Sequence, residues 1–415
     1  MDVSWFFTME TENYGLYLHI PFCLRRCRYC DFFSTEGKLN RIPAYIRALL
    51  REIEWTGSAG GNPPADSVFL GGGTPSLLEP GQVGRVLDRI RKSFRLDPHA
   101  EISLEANPGT VDRARLKAFR EAGVNRLSLG VQSAGGGELR MLGRIHTYAE
   151  AERTFHDARR AGFANISLDF IYGLPGQTEA AWTQTLKRAL ALGPEHLSLY
   201  ALTLERGTKL ARAVRRGALP APEDDLAADM FERAEEMLAA AGSRHYEISN
   251  WARDAAGAAG DASGDPRASA FPAHACRHNL RYWLNRPYLG FGAGAHGCAC
   301  GKRYANICSI EKYIDRIRIG KPRRFPLTPA ASRSVLRTRE DELRETMWLG
   351  LRLTETGVDR EAYRILFGVD YGDRFLEEID SAIAAGLLEW TRNGEALRLT
   401  PRGRLLGNQV FQLFV

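Results

Sequence analysis

The hydrophobic positions in the first half of this chain follow two alternating rhythms. Period-two runs at Gly15–His19, Ser67–Leu70, Glu101–Glu105, Arg126–Val131, Asn165–Ile171 and His196–Leu202 predict six short strands. The stretches between them carry helical spacing. Ile42, Tyr45, Ile46, Leu49, Leu50 and Ile53 form one apolar face, and Val83, Val86, Leu87 and Ile90 form another. Thr147 with Glu150 reads as a capping box that opens a helix running to about Arg160. Six βα units with short connections imply an α/β protein with a parallel sheet and right-handed crossovers. A curled (β/α)6 partial barrel fits this count, two units short of the closed eight-stranded form.

The strands alternate in a second way. Ile102 and Leu104, Leu127 and Leu129, Ile166, Leu168 and Phe170, and Leu197 and Leu199 line one face. The opposite face carries Ser103 and Glu105, Ser128, Gly130 and Gln132, Ser167 and Asp169, and Ser198 and Tyr200. Parallel strands covered on both sides should be apolar on both faces. A polar inner face repeated over four strands points instead to a lined cavity, with its larger groups at the C-terminal strand ends where barrel sites form. A plain exposed sheet face is the alternative.

Composition bounds the rest. A chain of 415 residues with 44% hydrophobic and 26% charged residues is an ordinary soluble protein of two or three domains. The apolar run near Asp2, Glu10 and Glu12 is too short for a signal peptide, and no stretch reaches the length of a bilayer span. Seven cysteines, an odd number, argue against a disulfide framework and for a reducing compartment, most simply the cytoplasm. The net charge of +6 suits an anionic small ligand or a peripheral position at a membrane surface, or is simply a solvated surface.

The chemistry concentrates in Cys23, Cys27 and Cys30, spaced C-x3-C-x2-C on a loop directly after the first strand. Three thiolates on one loop can hold three corners of a [4Fe-4S] cluster and leave one iron open. The natural occupant of that iron is S-adenosylmethionine (SAM), chelating through its amino and carboxylate groups. A structural zinc site wants four closed ligands, and no fourth cysteine or histidine stands at finger spacing. Gly71-Gly72-Gly73-Thr74-Pro75 follows the second strand, where glycines let the backbone approach a ligand. Glu105 can accept from ribose hydroxyls, Arg144 can pair with the carboxylate, and Gln132 and Asp169 add polar groups. Buried pairs that hold the barrel together are the structural alternative for these residues.

This order of motifs, with Gly130-Val131-Gln132-Ser133 and Asp169-Phe170-Ile171-Tyr172-Gly173-Leu174-Pro175-Gly176, resembles the radical-SAM enzymes over nearly the whole chain. More closely it resembles the branch that contains the oxygen-independent coproporphyrinogen oxidases and their heme-chaperone relatives. The resemblance implies cofactor contacts at Tyr17, Tyr29, Gly72, Gly73, Thr74, Glu105, Gln132, Arg144 and Asp169, with Thr203 and His296 near a second cofactor or substrate. Three details favour the chaperone group. Phe32 stands where the oxidases have a further cysteine, and only 22 residues precede Cys23 where the oxidases carry a longer segment. His278-Asn279-Leu280-Arg281-Tyr282-Trp283 matches that group's H-N-x-x-Y-W motif, which implies heme contacts at His278, Asn279, Tyr282 and Trp283. A histidine can ligate heme iron and aromatic rings can pack on a porphyrin, although a hydrogen-bonded structural histidine is the commoner case.

The expected division is an N-terminal segment 1–14, a barrel over 15–205, a helical extension over 206–329 and a C-terminal unit over 330–415. The extension holds the heme motif and a flexible Ala-, Gly-, Ser- and Asp-rich insertion at 252–275. In the last unit, helical patterns near Glu340–Leu353 and Arg374–Ala385 lead to apolar runs on either side of Asn393-Gly394, a hairpin signal. Helices followed by a hairpin make it winged-helix-like. Cys276, Cys298, Cys300 and Cys308 match no metal-ligand spacing.

By this reading the chain is a heme chaperone with a SAM-ligated cluster, heme as cargo and a heme-accepting partner such as a membrane-bound respiratory enzyme. The runner-up is an oxygen-independent coproporphyrinogen III dehydrogenase, which would decarboxylate propionates with a 5′-deoxyadenosyl radical. The basic stretch Arg316–Arg324 and the wing motivate a third reading, an RNA-modifying enzyme, but no stable nucleic-acid partner is expected.

Overall fold

The computed structural model describes residues 13–254, 270–391 and 393–415. Residues 1–12 of the N-terminal segment and 255–269 of the insertion lie outside the described residues. The chain forms two compact units. The first runs to Glu195 and adds Leu199–Phe231 and Pro287–Leu336; the second comprises His196–Ser198, Glu232–Arg286 and Arg337–Val415.

In the first unit, β1 (Tyr14–Ile20), β2 (Pro64–Gly72), β3 (Arg95–Ala106), β4 (Arg126–Gln132) and β5 (Asn165–Tyr172) lie side by side in chain order and parallel. The end of β6 (His196–Ala201) follows β5. All six expected strands are present. β3 starts earlier than its alternation predicts because Arg95 and Leu96 pair with Pro64 and Ala65 ahead of a register shift. The capping box forms as read: the Thr147 hydroxyl accepts from the Glu150 backbone, and the Glu150 carboxylate accepts from Thr147 N at 2.7 Å.

The segment 206–329 is distributed differently from a single helical extension. Within it, β7 (Tyr288–Phe291) joins β1 in parallel, and β8 (His296–Ala299) and β9 (Lys302–Asn306), followed by β10 (Ala331–Leu336), continue the sheet, each antiparallel to its neighbour. The short 288–336 strands alternate too briefly to stand out in the sequence. Residues 232–286 belong to the second unit, where Ser243–Glu247 pairs antiparallel with Asn250–Arg253. That second strand and buried Ala275 place both ends of the expected insertion in ordered structure. The C-terminal part holds helices Arg339–Gly350, Arg360–Phe367 and Leu376–Ala384 and a three-stranded sheet. The Asn393-Gly394 turn joins Leu388–Trp390 to Ala396–Leu399 as expected, around a core of Met347, Tyr371, Phe375, Leu397 and Val410.

The antiparallel strands are fastened by a residue that breaks the pattern of its own helix. Helix α1 (Ile42–Ala59) buries Tyr45, Ile46, Leu49 and Ile53, and Glu52 shares that apolar face. The Glu52 carboxylate is fully buried and accepts four hydrogen bonds, from Gly292 N (2.8 Å), Tyr313 Oη (2.7 Å), Asn306 Nδ2 (3.0 Å) and Thr328 Oγ1 (2.8 Å). Burial raises its pKa against these four bonds. Two turns earlier, Tyr45 Oη donates to His19 O (2.7 Å) and accepts from Ala293 N (2.8 Å). Glu52→Gln would turn an amide NH2 toward two of the four donors. It is expected to cost about 2–4 kcal/mol, read as a lower thermal midpoint, with Glu54→Gln on the exposed face as the unaffected control.

Candidate functional site

The cysteine loop leaves the C-terminal end of β1 and is pinned along its length. Phe22 and Cys23 pair with Thr35 and Glu36, and Thr35 N donates to Pro21 O at 2.8 Å. Further on, Arg28 N donates to Leu142 O (2.9 Å) and Arg28 O accepts from Leu210 N (2.8 Å). Cys23 is buried, Cys27 and Cys30 are half-buried, and burial raises the Cys23 and Cys30 thiols. Side-chain donors reach two of the sulfurs, among them Thr74 Oγ1 to Cys23 Sγ at 3.5 Å and Arg144 Nη1 to Cys27 Sγ at 3.4 Å.

The triple glycine closes one wall. Gly73 N donates to Ile20 O at 3.0 Å, which holds the end of β2 against the root of the loop. A Cβ on Gly73 would stand 2.8 Å from Phe22 O and 2.9 Å from Ile20 O. Gly72 has φ +111°, and a Cβ there would meet the His19 ring at 2.6 Å. Its amide donates to Glu105 Oε2 at 3.0 Å.

The polar strand faces do turn to one side, as the alternation predicted. Ser128 Oγ donates to Asp169 at 2.8 and 3.0 Å, and Ser167 Oγ reaches the same carboxylate at 3.1 Å. Burial and the neighbouring Asp169 push the Glu105 carboxyl up to about 7. Ser103 Oγ is buried and has no hydrogen-bond partner among the described residues. At the end of β4 a register shift between Gly130 and Gln132 gives Gln132 a φ of +71°. That bulge brings Gln132 Nε2 close to Gly130, beside Asn107 Oδ1 and Arg144 Nη2. Arg144 Nη2 donates to Gly130 O at 2.6 Å and to Asn107 Oδ1.

Tyr17 and Tyr29 flank this group. Tyr17 Oη meets His19 Nδ1 at 3.0 Å, and its phenol is raised well above its ordinary value by burial and then by Glu105. The Tyr29 phenol is likewise raised by burial, with Arg144 pulling it down. Thr203 lies in exposed chain beyond β6, and its carbonyl accepts from Glu205 N at 3.1 Å. His296 is exposed at the start of β8, where burial of part of its ring and then Arg333 and Arg303 lower its pKa.

The H-N-x-x-Y-W residues sit in the second unit on helix Arg277–Trp283. His278 is 1% exposed, and its Nε2 meets Tyr282 Oη at 2.9 Å. Burial and then Arg281 push its pKa down to about 3, so the imidazole is neutral. Asn279, Tyr282 and Trp283 are half-buried, and the Arg352 guanidinium lies 4.3 Å from the Trp283 ring. Of the remaining cysteines, Cys276 and Cys298 are buried, Cys300 lies 3.9 Å from Tyr14 Oη, and Cys308 is exposed.

Two residues escaped the sequence reading. Glu52 could have been found as a charge in register with Tyr45 and Leu49. Asn107, two residues beyond Glu105, carried no signal of its own; only the fold shows that its amide touches both Arg144 and Thr74.

These residues fit a cluster with a chelating ligand. The donors are three thiols, two of them reached by side-chain hydrogen bonds, and the adjoining cradle excludes any Cβ at Gly73. Among the described residues, no three His, Cys, Asp or Glu side chains converge on a single metal ion. Cluster thiolates bind different irons and need not converge.

Comparison with known proteins agrees with this geometry. Residues 17–189 match the Radical SAM superfamily, and 338–406 match the HemN C-terminal domain. The chain is 36% identical to the heme chaperone HemW of Bacillus subtilis over 96% of this chain and 98% of that protein. It is 35% identical to the heme chaperone HemW of Mycobacterium tuberculosis over 97% and 95%. The coproporphyrinogen III oxidase HemN of Escherichia coli, described as a radical SAM enzyme, superposes with a TM-score of 0.78. That likeness covers 97% of this chain and 90% of the oxidase at 24% identity, so it speaks to fold alone.

Gly73→Ala is expected to lower iron retained after anaerobic reconstitution and desalting by at least about half, because its Cβ would push on the backbone of the loop. Gly81→Ala, whose Cβ meets nothing within 4 Å, is the control.

Proposed function

The chain belongs to the radical SAM superfamily and, within it, to the heme chaperone HemW family, and we propose that it binds heme and passes it to an acceptor protein. The observation that carries this reading is the likeness to proteins of that name along almost the full length, including both units. A [4Fe-4S] cluster and SAM are its cofactors, and heme or a porphyrin is its cargo. In this reading Cys23, Cys27 and Cys30 hold three irons of the cluster, which supplies a single-electron donor and an open iron for SAM. Main-chain groups of Gly72 and Gly73 with Thr74 receive the SAM methionyl end, and Arg144 pairs with its carboxylate. Glu105 accepts from the ribose hydroxyls; Asp169 and Gln132 supply polar contacts, and Tyr17 and Tyr29 bound the pocket. Thr203 and His296 serve a second cofactor or the cargo.

The heme contacts proposed are His278, Asn279, Tyr282 and Trp283. The neutral state of His278 suits iron ligation, which takes an unprotonated nitrogen. Its Nε2 is engaged by Tyr282, so ligation through Nε2 requires that hydrogen bond to open. Among the described residues no helix is long and apolar enough to cross a membrane. The proposal places the protein in the cytoplasm, where it meets a membrane-bound respiratory acceptor peripherally.

An anaerobic titration of the reconstituted protein with heme, followed by an assay for coproporphyrinogen turnover with SAM and reductant, tests the reading. Stoichiometric heme binding without turnover is expected, and formation of protoporphyrinogen would establish the dehydrogenase instead. His278→Ala is expected to weaken heme binding by at least about tenfold with the cluster absorbance unchanged. Unaltered heme affinity in that variant removes His278 as the ligand.

A further inference from the structure

Two of the three cluster thiols are joined through one amide that no motif identifies. Arg144 donates from Nη1 to Cys27 Sγ at 3.4 Å and from Nη2 to Asn107 Oδ1. Asn107 Nδ2 donates to Thr74 Oγ1 at 3.0 Å, and Thr74 Oγ1 donates to Cys23 Sγ at 3.5 Å. The direction of this chain is forced. A guanidinium can only donate, so the Asn107 atom facing it must be the oxygen. The amide nitrogen then faces Thr74, whose oxygen accepts. The single hydroxyl proton of Thr74 is left for Cys23. No other choice of amide orientation satisfies both neighbours.

Asn107 is itself fixed. Its backbone carbonyl accepts from Thr110 Oγ1 at 2.7 Å and from Thr110 N at 3.0 Å. Its backbone N–H donates to Ser76 Oγ at 3.4 Å. The Gly130 Cα, bare of any side chain, leaves the space its amide fills: a Cβ there would stand 3.1 Å from Asn107 Oδ1 and 3.3 Å from Arg144 Nη2.

We infer that Asn107 is a positioning residue that aims the Thr74 hydroxyl at the Cys23 sulfur and holds Arg144 between Cys27 and the SAM carboxylate. This rests on the cofactor reading above and deepens it. Hydrogen bonds to cluster sulfurs stabilise the more negative, reduced state and raise the reduction potential. An alanine at 107 frees the Thr74 hydroxyl to rotate and removes a lateral restraint on Arg144. It therefore acts on the cluster through Thr74 and on SAM through Arg144.

The experiment uses full-length protein reconstituted anaerobically, in wild-type, N107A, T74V and N107A/T74V forms. The reduced fraction of the cluster is read by electron paramagnetic resonance at one fixed applied potential, and SAM affinity is read on the oxidised protein. N107A and T74V are each expected to lower the ratio of reduced to oxidised cluster by at least about threefold. The double variant is expected to fall no further than about twofold below either single, because both cut the same chain. N107A is also expected to weaken SAM binding by at least about fivefold. A double variant that falls by the product of the two single effects overturns the inference, as does an N107A protein that matches wild type in both readouts. Should N107A fail to assemble a cluster, N107S is read in its place against the same limits. Wild-type protein that forms no cluster or binds no SAM would instead refute the cofactor reading itself.

Discussion

A single buried carboxylate makes the architecture around the cysteine loop possible. Glu52 carries charge into the apolar face of α1, and it is tolerated because four donors from four separate stretches of chain converge on it. Removing a carboxylate from water costs several kcal/mol, so the site is stable only while that shell is complete. Its completion ties β7–β10 to the helix that also braces β1. The Phe22 ring meets Tyr45 edge-on at 5.3 Å, which places the residue before Cys23 on the same support. The loop that would hold iron thus springs from a rigid corner, and the polar strand ends face it from positions set by the parallel register.

That arrangement separates two kinds of polar group in one unit. Glu52 is fully satisfied and has no capacity left for a ligand. Ser103 and Glu105, by contrast, are held by few protein donors, and burial with the neighbouring Asp169 raises the cost of ionising Glu105. A protein that spends hydrogen bonds freely at one buried acid and withholds them at another marks the second as a place for something else to bind.

Much of this was legible from residue order. The six core strands, the capping box at Thr147, the hairpin at Asn393-Gly394 and the polar inner face all follow from local periodicity and turn chemistry. The triple glycine and the cysteine spacing carried the chemistry because each needs only a few adjacent residues. What escaped depends on contacts far apart in sequence. Nothing near Tyr288–Asn306 announces strands, since those segments are short and take their register from β1. The burial of His278 also escaped, because a helix of seven residues shows too little pattern to reveal which side faces inward.

Gln132 holds a left-handed backbone that costs a residue with a side chain about 1 kcal/mol over glycine. A search for greater heat tolerance would pick that position early and would report success. The gain would come at the expense of the Gln132 amide that the β4 bulge presents to Gly130. Robustness and the cofactor contact proposed for Gln132 therefore pull in opposite directions at one residue, and a hardened variant should be judged by what it still binds.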